Sequence, residues 1–165
     1  MINLTASILT ISDRSYAGTR PDSAGPKIIE LLKTKNIAII NYAIVPDEID
    51  LITKKLSEWI NEGSSRIIFT TGGTGFAPRD NTPEATKLVI EKETPGISEY
   101  IRKKSAEITP HAILSRGISG ISKTTLIINL PGSPKAACES IEFIINVLPH
   151  AVELIMEDSN SEKNH

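Results

Sequence analysis

Residues 66–84 of the chain read RIIFTTGGTGFAPRDNTPE, an apolar run followed by a loop with three glycines. The β-branched and aromatic residues of the run favour a buried strand. Thr82 and Pro83 are typical of the N-cap and the first residue of a helix. A strand that continues through a glycine-rich loop into a helix is a building unit of α/β folds.

The same alternation extends over the rest of the chain. Strands are predicted at residues 7–11, 37–45, 66–70 and 124–130, with a possible short strand at 117–121. Amphipathic helices are predicted from four sets of apolar residues: Ile28, Leu31 and Leu32; Ile49, Ile52, Leu56, Trp59 and Ile60; Ile97, Tyr100, Ile101 and Ile108; Ala137, Ile141, Ile144 and Leu148. Strands that alternate with helices predict a mostly parallel sheet covered by helices on both faces.

The composition limits the classes of protein to which the chain can belong. Its 165 residues correspond to one domain, which we place at residues 1–156, followed by a polar tail at 157–165 that we expect to be frayed. Because 18 Lys and Arg stand against 20 Asp and Glu, we expect no nucleic-acid partner. With no long apolar window, no recognisable signal peptide and a single cysteine, Cys138, we expect a cytoplasmic protein without a membrane segment.

Polar loops follow four of the predicted strands, at Ser12, Pro46, Thr71 and Pro131. Ligands of open α/β sheets bind beyond the carboxyl ends of the strands, so these loops are where we expect a pocket. The loop after Thr71 matches neither the Walker A motif nor the dinucleotide-binding pattern. Its glycines indicate either a phosphate cradle or a tight turn that needs positive φ. Arg79 and Asp80 favour the cradle, since a cation and a carboxylate can bind phosphate and its Mg²⁺.

Each of the other loops permits two interpretations. Asp47 is placed either to cap the helix that follows it or to serve as a Mg²⁺ ligand or general base. Residues 12–15 can bind phosphate or a polar ring, or can form an ordinary turn with a surface ion pair. Gly132 and Ser133 can donate hydrogen bonds to a ligand or can cap the last predicted helix.

The combination of motifs resembles the molybdopterin adenylyltransferase family, the MogA/MoaB-like group that includes the gephyrin G domain. The matching segments are TTGGTG at 70–75, Arg79 with Asp80, TPEAT at 82–86, PGSP at 131–134, ISDRS at 11–15 and PDE at 46–48. The resemblance covers about residues 7–150.

The resemblance implies a three-layer α/β/α sandwich that assembles as a homotrimer. It also implies transfer of AMP from Mg²⁺-ATP to the terminal phosphate of molybdopterin, with release of pyrophosphate and delivery of the product to a molybdate-inserting enzyme. Asp47 and Asp80 fall on the essential, Mg²⁺-holding aspartates of the family. The residues that would bind nucleotide or pterin are Ser12, Asp13, Arg14, Thr71, Gly72, Gly73, Thr74, Gly75, Arg79, Pro131, Gly132 and Ser133, with Asp13 a candidate acceptor for the pterin amino group.

Two other functions are open to a chain with these motifs. The first is a non-catalytic molybdopterin-binding or scaffold protein of the same fold, which the presence of both Asp47 and Asp80 disfavours. The second is a nucleotide or nucleotide-sugar hydrolase, which ATP turnover without molybdopterin would support. The motifs also leave open whether the pathway uses molybdenum or tungsten.

Overall fold

A computed structural model describes residues 3–161 of the chain. The strands are β1 (Thr5–Ile11), β2 (Ala38–Val45), β3 (Ile67–Thr71), β4 (Lys92–Glu93), β5 (Ser119–Ser122) and β6 (Thr125–Leu130). The helices are α1 (Asp13–Tyr16), α2 (Ala24–Thr34), α3 (Ile49–Glu62), α4 (Thr82–Lys87), α5 (Pro95–Ile108), α6 (Pro134–Ile144) and α7 (Leu148–Ser161), with a 3-10 helix at Pro110–Leu114.

The strands form one six-stranded sheet in the order β2-β1-β3-β6-β5-β4. β1, β2, β3 and β6 are mutually parallel, whereas β5 pairs antiparallel to β6, and β4 antiparallel to β5. This architecture confirms the predicted α/β sandwich with a mostly parallel sheet. β4 escaped prediction because its two residues, Lys92 and Glu93, are both exposed and carry no apolar signal.

The near-continuous apolar runs of the central strands are explained by burial on both faces of the sheet. Ile8 packs with α2, α6 and α7 on one face, and its neighbour Leu9 packs with α3 and α4 on the other. Ile67 and Ile68 divide between the faces in the same way. Successive side chains of a strand point to opposite faces, so a strand between two helical layers is apolar at most of its positions.

The structure corrects the helix predictions in two places. Tyr100 and Ile108 of α5 were assigned to a buried stripe but are 45% and 55% exposed, while Ile101 is buried as predicted. The single late helix is two helices, α6 and α7, separated between Ile144 and Leu148. The predicted domain limit at residue 156 falls inside α7, and residues 162–165 of the predicted tail lie outside the described part of the chain.

All four parallel strands end at the same edge of the sheet, which brings their loops together. Within residues 3–161, no helix has the length and apolar character that a bilayer crossing requires.

Candidate active site

A cavity of about 780 Å³ opens at the carboxyl edge of the parallel strands. Its volume is typical of small-molecule sites. It is lined by eleven of the residues named from sequence: Ser12, Asp13, Arg14, Asp47, Thr71, Gly72, Gly73, Arg79, Asp80, Gly132 and Ser133. Thr74, Gly75 and Pro131, also named from sequence, are not among the lining residues.

The first two glycines of the loop after β3 are required by backbone conformation and by space. Gly72 and Gly73 have φ of +98° and +64°, a region that other residues rarely adopt. A Cβ on Gly72 would collide with the carbonyl oxygen of Ile11, and one on Gly73 would collide with Oγ1 of Thr82 and lie 3.0 Å from Oδ1 of Asp47. The loop therefore is a tight turn of the kind predicted, packed closely against the first and second loops.

The hydrogen bonds of this turn restrict which amides can face a ligand. The Gly72 N–H donates to the carbonyl of Leu130 at 3.3 Å and is therefore engaged within the protein. Thr82 donates its hydroxyl to the Gly72 carbonyl at 2.8 Å and its N–H to the Gly73 carbonyl at 3.1 Å. Within residues 3–161 the Gly73 N–H has no protein acceptor, and Gly73 lines the cavity. The helix α4 begins at Thr82, and Asn81 occupies the N-cap position. The prediction of Thr82 as the N-cap is therefore wrong by one residue.

Asp13 and Asp47 are joined by two reciprocal hydrogen bonds. The Asp13 N–H donates to Oδ2 of Asp47 at 2.9 Å, and the Asp47 N–H donates to Oδ1 of Asp13 at 3.0 Å. Asp47 therefore does not cap α3, whose N-cap position is Glu48. The capping interpretation of Asp47 is wrong, because its carboxylate is held by the first loop and lines the cavity.

Arg79 extends from the glycine loop and pairs with Asp13. Its Nε donates to Oδ2 at 2.6 Å and its Nη2 to Oδ1 at 2.9 Å, a bidentate geometry that fixes the guanidinium plane. This contact holds the pKa of Asp13 below its usual value and raises that of Arg79. The surface ion pair that was one interpretation of residues 12–15 is present, and it joins two loops that are distant in sequence. Because Arg79 occupies both oxygens of Asp13, few acceptor sites on this carboxylate are free for a pterin.

Asp47 and Asp80 face the cavity from different loops. Burial raises the pKa of Asp47, and the negative charges of Asp13 and Asp80 raise it further, against the lowering effect of the Asp13 N–H and of Arg79. Oδ2 of Asp80 accepts a hydrogen bond from the Ala77 N–H at 3.1 Å, which folds this carboxylate back onto its own loop. A carboxylate whose pKa is raised by neighbouring negative charge gains from a bound cation.

Side chains of the first and last loops also fix backbone. Ser12 and Ser133 are the N-caps of α1 and α6, accepting hydrogen bonds from Ser15 N–H at 3.2 Å and Ala136 N–H at 3.4 Å, respectively. The capping interpretation of Ser133 is therefore confirmed. Thr71 donates its hydroxyl to the carbonyl of Pro131 at 2.7 Å, which ties the third loop to the fourth.

The cavity also contains residues that sequence reasoning missed. Oδ2 of Asp22 accepts hydrogen bonds from Oγ1 of Thr10 at 2.6 Å and from the Tyr42 hydroxyl at 2.5 Å, and Arg20 lies on the same wall. The other members of this group are Pro21, Ser23 and Ala24. Ile11, Ser15 and Pro134 also line the cavity, and they lie in motifs already quoted from the sequence. The signal was the stretch AGTRPDS at 17–23, whose Gly, Pro and Asp are typical of a loop.

The fold and the cavity together define an α/β domain with a cavity of small-molecule size beyond the carboxyl ends of its parallel strands. Residues 7–150 match the family described as "Probable molybdopterin binding domain". The chain belongs to this family.

Individual relatives support the assignment. The "Molybdenum cofactor synthesis protein cinnamon" of Drosophila melanogaster is 48% identical over 160 residues, which are 96% of this chain. The chain spans only about a quarter of that protein, since the match covers 26% of it. A molybdopterin adenylyltransferase of Helicobacter pylori strain J99 is 44% identical over 151 residues, 90% of this chain and 86% of the relative. The crystal structure of the molybdopterin biosynthesis enzyme MoaB of Thermus thermophilus superposes with a TM-score of 0.87 at 45% identity, covering 92% of this chain and 96% of that one.

Proposed function

We propose that this chain is a molybdopterin adenylyltransferase of molybdenum cofactor biosynthesis. In the proposed reaction an oxygen of the terminal phosphate of molybdopterin attacks the α-phosphorus of ATP. The new P–O bond forms adenylyl-molybdopterin as the bond between the α- and β-phosphates breaks, and pyrophosphate leaves. The resemblance of 90% of the chain to a relative with this name, 86% of which is covered, supports the assignment.

The observation that carries the proposal is the pairing of Asp47 and Asp80 at one cavity. The two carboxylates come from separate loops and approach closely enough for the charge of Asp80 to raise the pKa of Asp47. Phosphoryl transfer depends mainly on positioning and on neutralising charge, so a site for it needs groups that can gather cations and phosphates. Two carboxylates that line one cavity, beside a glycine turn and an arginine, meet this need.

The donor set fits Mg²⁺ in particular. Among residues 3–161 no three His, Cys, Asp or Glu side chains gather into a metal site of their own. Mg²⁺ is commonly held by one or two carboxylates together with substrate phosphates, and Asp47 and Asp80 supply such a pair. When bound there, Mg²⁺ would neutralise charge on the nucleotide phosphates.

The remaining residues act in the proposal by binding and orientation. Gly73 lines the cavity with an N–H that no protein acceptor takes up within residues 3–161, and Arg79 adds a cation to the lining. Ser12, Arg14 and Ser133 contribute polar groups on the other walls.

The test is to incubate the purified protein with molybdopterin, ATP and Mg²⁺ and to separate the products by chromatography. Adenylyl-molybdopterin and pyrophosphate in equal amounts support the proposal. Binding of molybdopterin without product supports the non-catalytic alternative instead. Release of phosphate or pyrophosphate from ATP without molybdopterin supports a hydrolase.

The proposal also includes a homotrimer, a cytoplasmic location and delivery of the product to a molybdate-inserting enzyme, all carried over from the family resemblance. Exposed apolar side chains on α5 and the 3-10 helix support self-association, since monomers rarely expose such patches; they are Tyr100, Ile108, Ile113 and Leu114. Light scattering coupled to size-exclusion chromatography tests the trimer: a mass near three times 17.9 kDa supports it.

A further inference from the structure

Arg116 lies outside the cavity but holds the loop that carries Asp80. It follows the 3-10 helix in an extended segment, and its side chain is 34% exposed. Its backbone N–H donates to the carbonyl of Thr74 at 2.8 Å. Its guanidinium then reaches the same loop at two further points and the helix that follows the loop at a third.

The guanidinium closes the two ends of one segment of the loop. Nε of Arg116 donates to the carbonyl of Gly75 at 2.8 Å, and Nη2 donates to the carbonyl of Asp80 at 2.6 Å. Nη1 and Nη2 also bond the carboxylate of Glu84 at the start of α4. One planar cation therefore fixes the separation between Gly75 and Asp80.

Arginine alone can make this set of contacts. Its rigid fork offers donors in several fixed directions, whereas lysine offers a single ammonium on a flexible stem. Two bonds lie inside the segment that it closes: the Asp80 N–H donates to the Ala77 carbonyl at 2.9 Å, and the Ala77 N–H to Oδ2 of Asp80. Arg79 ties the segment to Asp13, and the side-chain amide of the neighbouring Asn81 donates to the Asp47 carbonyl at 3.4 Å. Arg116 differs from these contacts in that it bonds both ends of the segment.

We propose that Arg116 is a positioning residue for adenylyl transfer: by holding the Gly75 and Asp80 carbonyls, it places the Asp80 carboxylate opposite Asp47 for binding of the divalent cation. This inference rests on the proposed function for its catalytic consequence. The placement of the loop itself does not depend on the reaction and can be measured without it.

The first arm of the test measures amide hydrogen exchange in the ligand-free protein. In Arg116→Lys, the amides of Ala77 and Asp80 exchange about tenfold faster, while those of β1 and β3 are unchanged. Arg66→Lys is the matched control, since Arg66 lies at the opposite end of the sheet and bonds the hydroxyl of Thr124. Equal exchange in wild type and Arg116→Lys would overturn the proposal.

The second arm measures Mn²⁺ binding in the presence of ATP by electron paramagnetic resonance, and steady-state turnover. We expect Arg116→Lys to weaken Mn²⁺ binding about tenfold and to lower kcat by up to about 10²-fold, as a small misplacement of a catalytic group can do. KM for molybdopterin should change little. Unchanged Mn²⁺ affinity in a folded Arg116→Lys protein would overturn the proposal.

Glu84→Gln separates the loop contacts from the ion pair. It removes the charge of Glu84 but leaves the bonds from Arg116 to Gly75 and Asp80, so we expect near-normal exchange and Mn²⁺ binding. A loss equal to that of Arg116→Lys would assign the effect to the ion pair and would overturn the proposal.

If Arg116→Lys does not fold, Arg116→Gln replaces it. We expect Arg116→Gln to speed amide exchange and to weaken Mn²⁺ binding in the same direction. If wild type makes no product, the proposed function fails, while the exchange arm still decides the role of Arg116.

Discussion

Asp13 and Asp47, 34 residues apart in the chain, each accept the backbone N–H of the other on a carboxylate oxygen. The two bonds form a closed pair between the loops that follow β1 and β2. Because Arg79 binds both oxygens of Asp13, the pair also fixes the glycine loop. The orientation of Asp47 thus depends on a carboxylate that does not need to touch the substrate.

Asp13→Ala should therefore lower turnover by disordering Asp47. It removes the acceptor for the Asp47 N–H and the partner of Arg79, so we expect kcat to fall by roughly 10²-fold. Asp13→Asn keeps an acceptor for that N–H and should retain more activity than Asp13→Ala. Steady-state kinetics of both variants measure the difference. Equal activity of Asp13→Ala and wild type would remove Asp13 from the positioning of Asp47.

Asp47→Asn should stabilise the ligand-free protein while abolishing turnover. The pKa of Asp47 is raised in the folded state, so the stability that this group contributes is fully present below its unfolded value near 3.8 and is lost as the pH rises through the folded pKa. At pH 7 the neutral amide of the Asp47→Asn variant avoids that loss, so the free energy of unfolding should rise. The increase should be less than about 1 kcal/mol, because water screens a partly buried charge. Thermal unfolding at pH 4 and pH 7 measures the effect. A variant less stable than wild type at pH 7 would contradict the assigned cause.

Cation binding should weaken as the pH is lowered. The midpoint of this loss should lie at a higher pH than it would for a site built on an aspartate with an ordinary pKa. Protonation of Asp47 removes a ligand charge, and the raised pKa brings that protonation closer to neutrality.

Asp80→Asn removes one of the charges that raise the pKa of Asp47, so the titration midpoint of the Asp47 carboxyl should move to lower pH. Carboxyl ¹³C shifts of Asp47, followed by NMR in both proteins, test this. A midpoint that does not move would show that Asp80 lies too far away to act.

Asp80→Asn should also remove most turnover without unfolding the protein. The substitution deletes a charge on a surface loop and no core contact, so we expect a roughly 10²-fold loss in kcat with a change in stability of about 0.5 kcal/mol or less. Asp50→Asn is the control, because Asp50 is an exposed carboxylate on α3 that does not line the cavity. Near-normal turnover in Asp80→Asn would exclude the carboxylate pair as the centre of the site.

Gly73→Val should weaken nucleotide binding and destabilise the loop. Valine at a φ of +64° costs about 1–3 kcal/mol, and its side chain would collide with Thr82 and approach Asp47. Gly96→Val is the matched control, since a Cβ at Gly96 meets no atom within 4 Å and its φ is not positive. Calorimetric titration with ATP measures the result. A wild-type affinity for ATP in a folded Gly73→Val protein would refute the interpretation of the glycine loop as a phosphate cradle.

The sequence identified the parts of the site that follow directly from strand ends. A β-branched run that stops at a Gly, Pro or Asp marks both the end of the strand and the edge where ligands bind, so the residues after β1, β2, β3 and β6 could be named. Asn129 lies near the end of β6, inside the predicted strand, and is buried. Its amide satisfies the hydroxyls of Thr70 and Thr86, contacts that no local pattern reports.

The parts that were missed depend on contacts between distant segments. Arg116 bonds Gly75 across 41 positions of sequence and lies in a stretch with no periodicity, so nothing near it marks its partners. Asp22 faces Tyr42 and Thr10 because the long loop after α1 folds back over β1 and β2. Side-chain pairs of this kind form only when the chain is packed, so the spacing of residues along the sequence does not predict them.

The insertion of β6 between β3 and β5 has a consequence for biosynthesis on the ribosome. β1, β2 and β3 are translated first and can pair with one another, but the Gly72 N–H acquires its acceptor only when Leu130 has been added. Gly132, which packs against Gly72, arrives with the same segment. The pocket is therefore among the last features that the nascent chain can complete, and a prematurely terminated product that ends before β6 lacks the contact that holds the glycine turn.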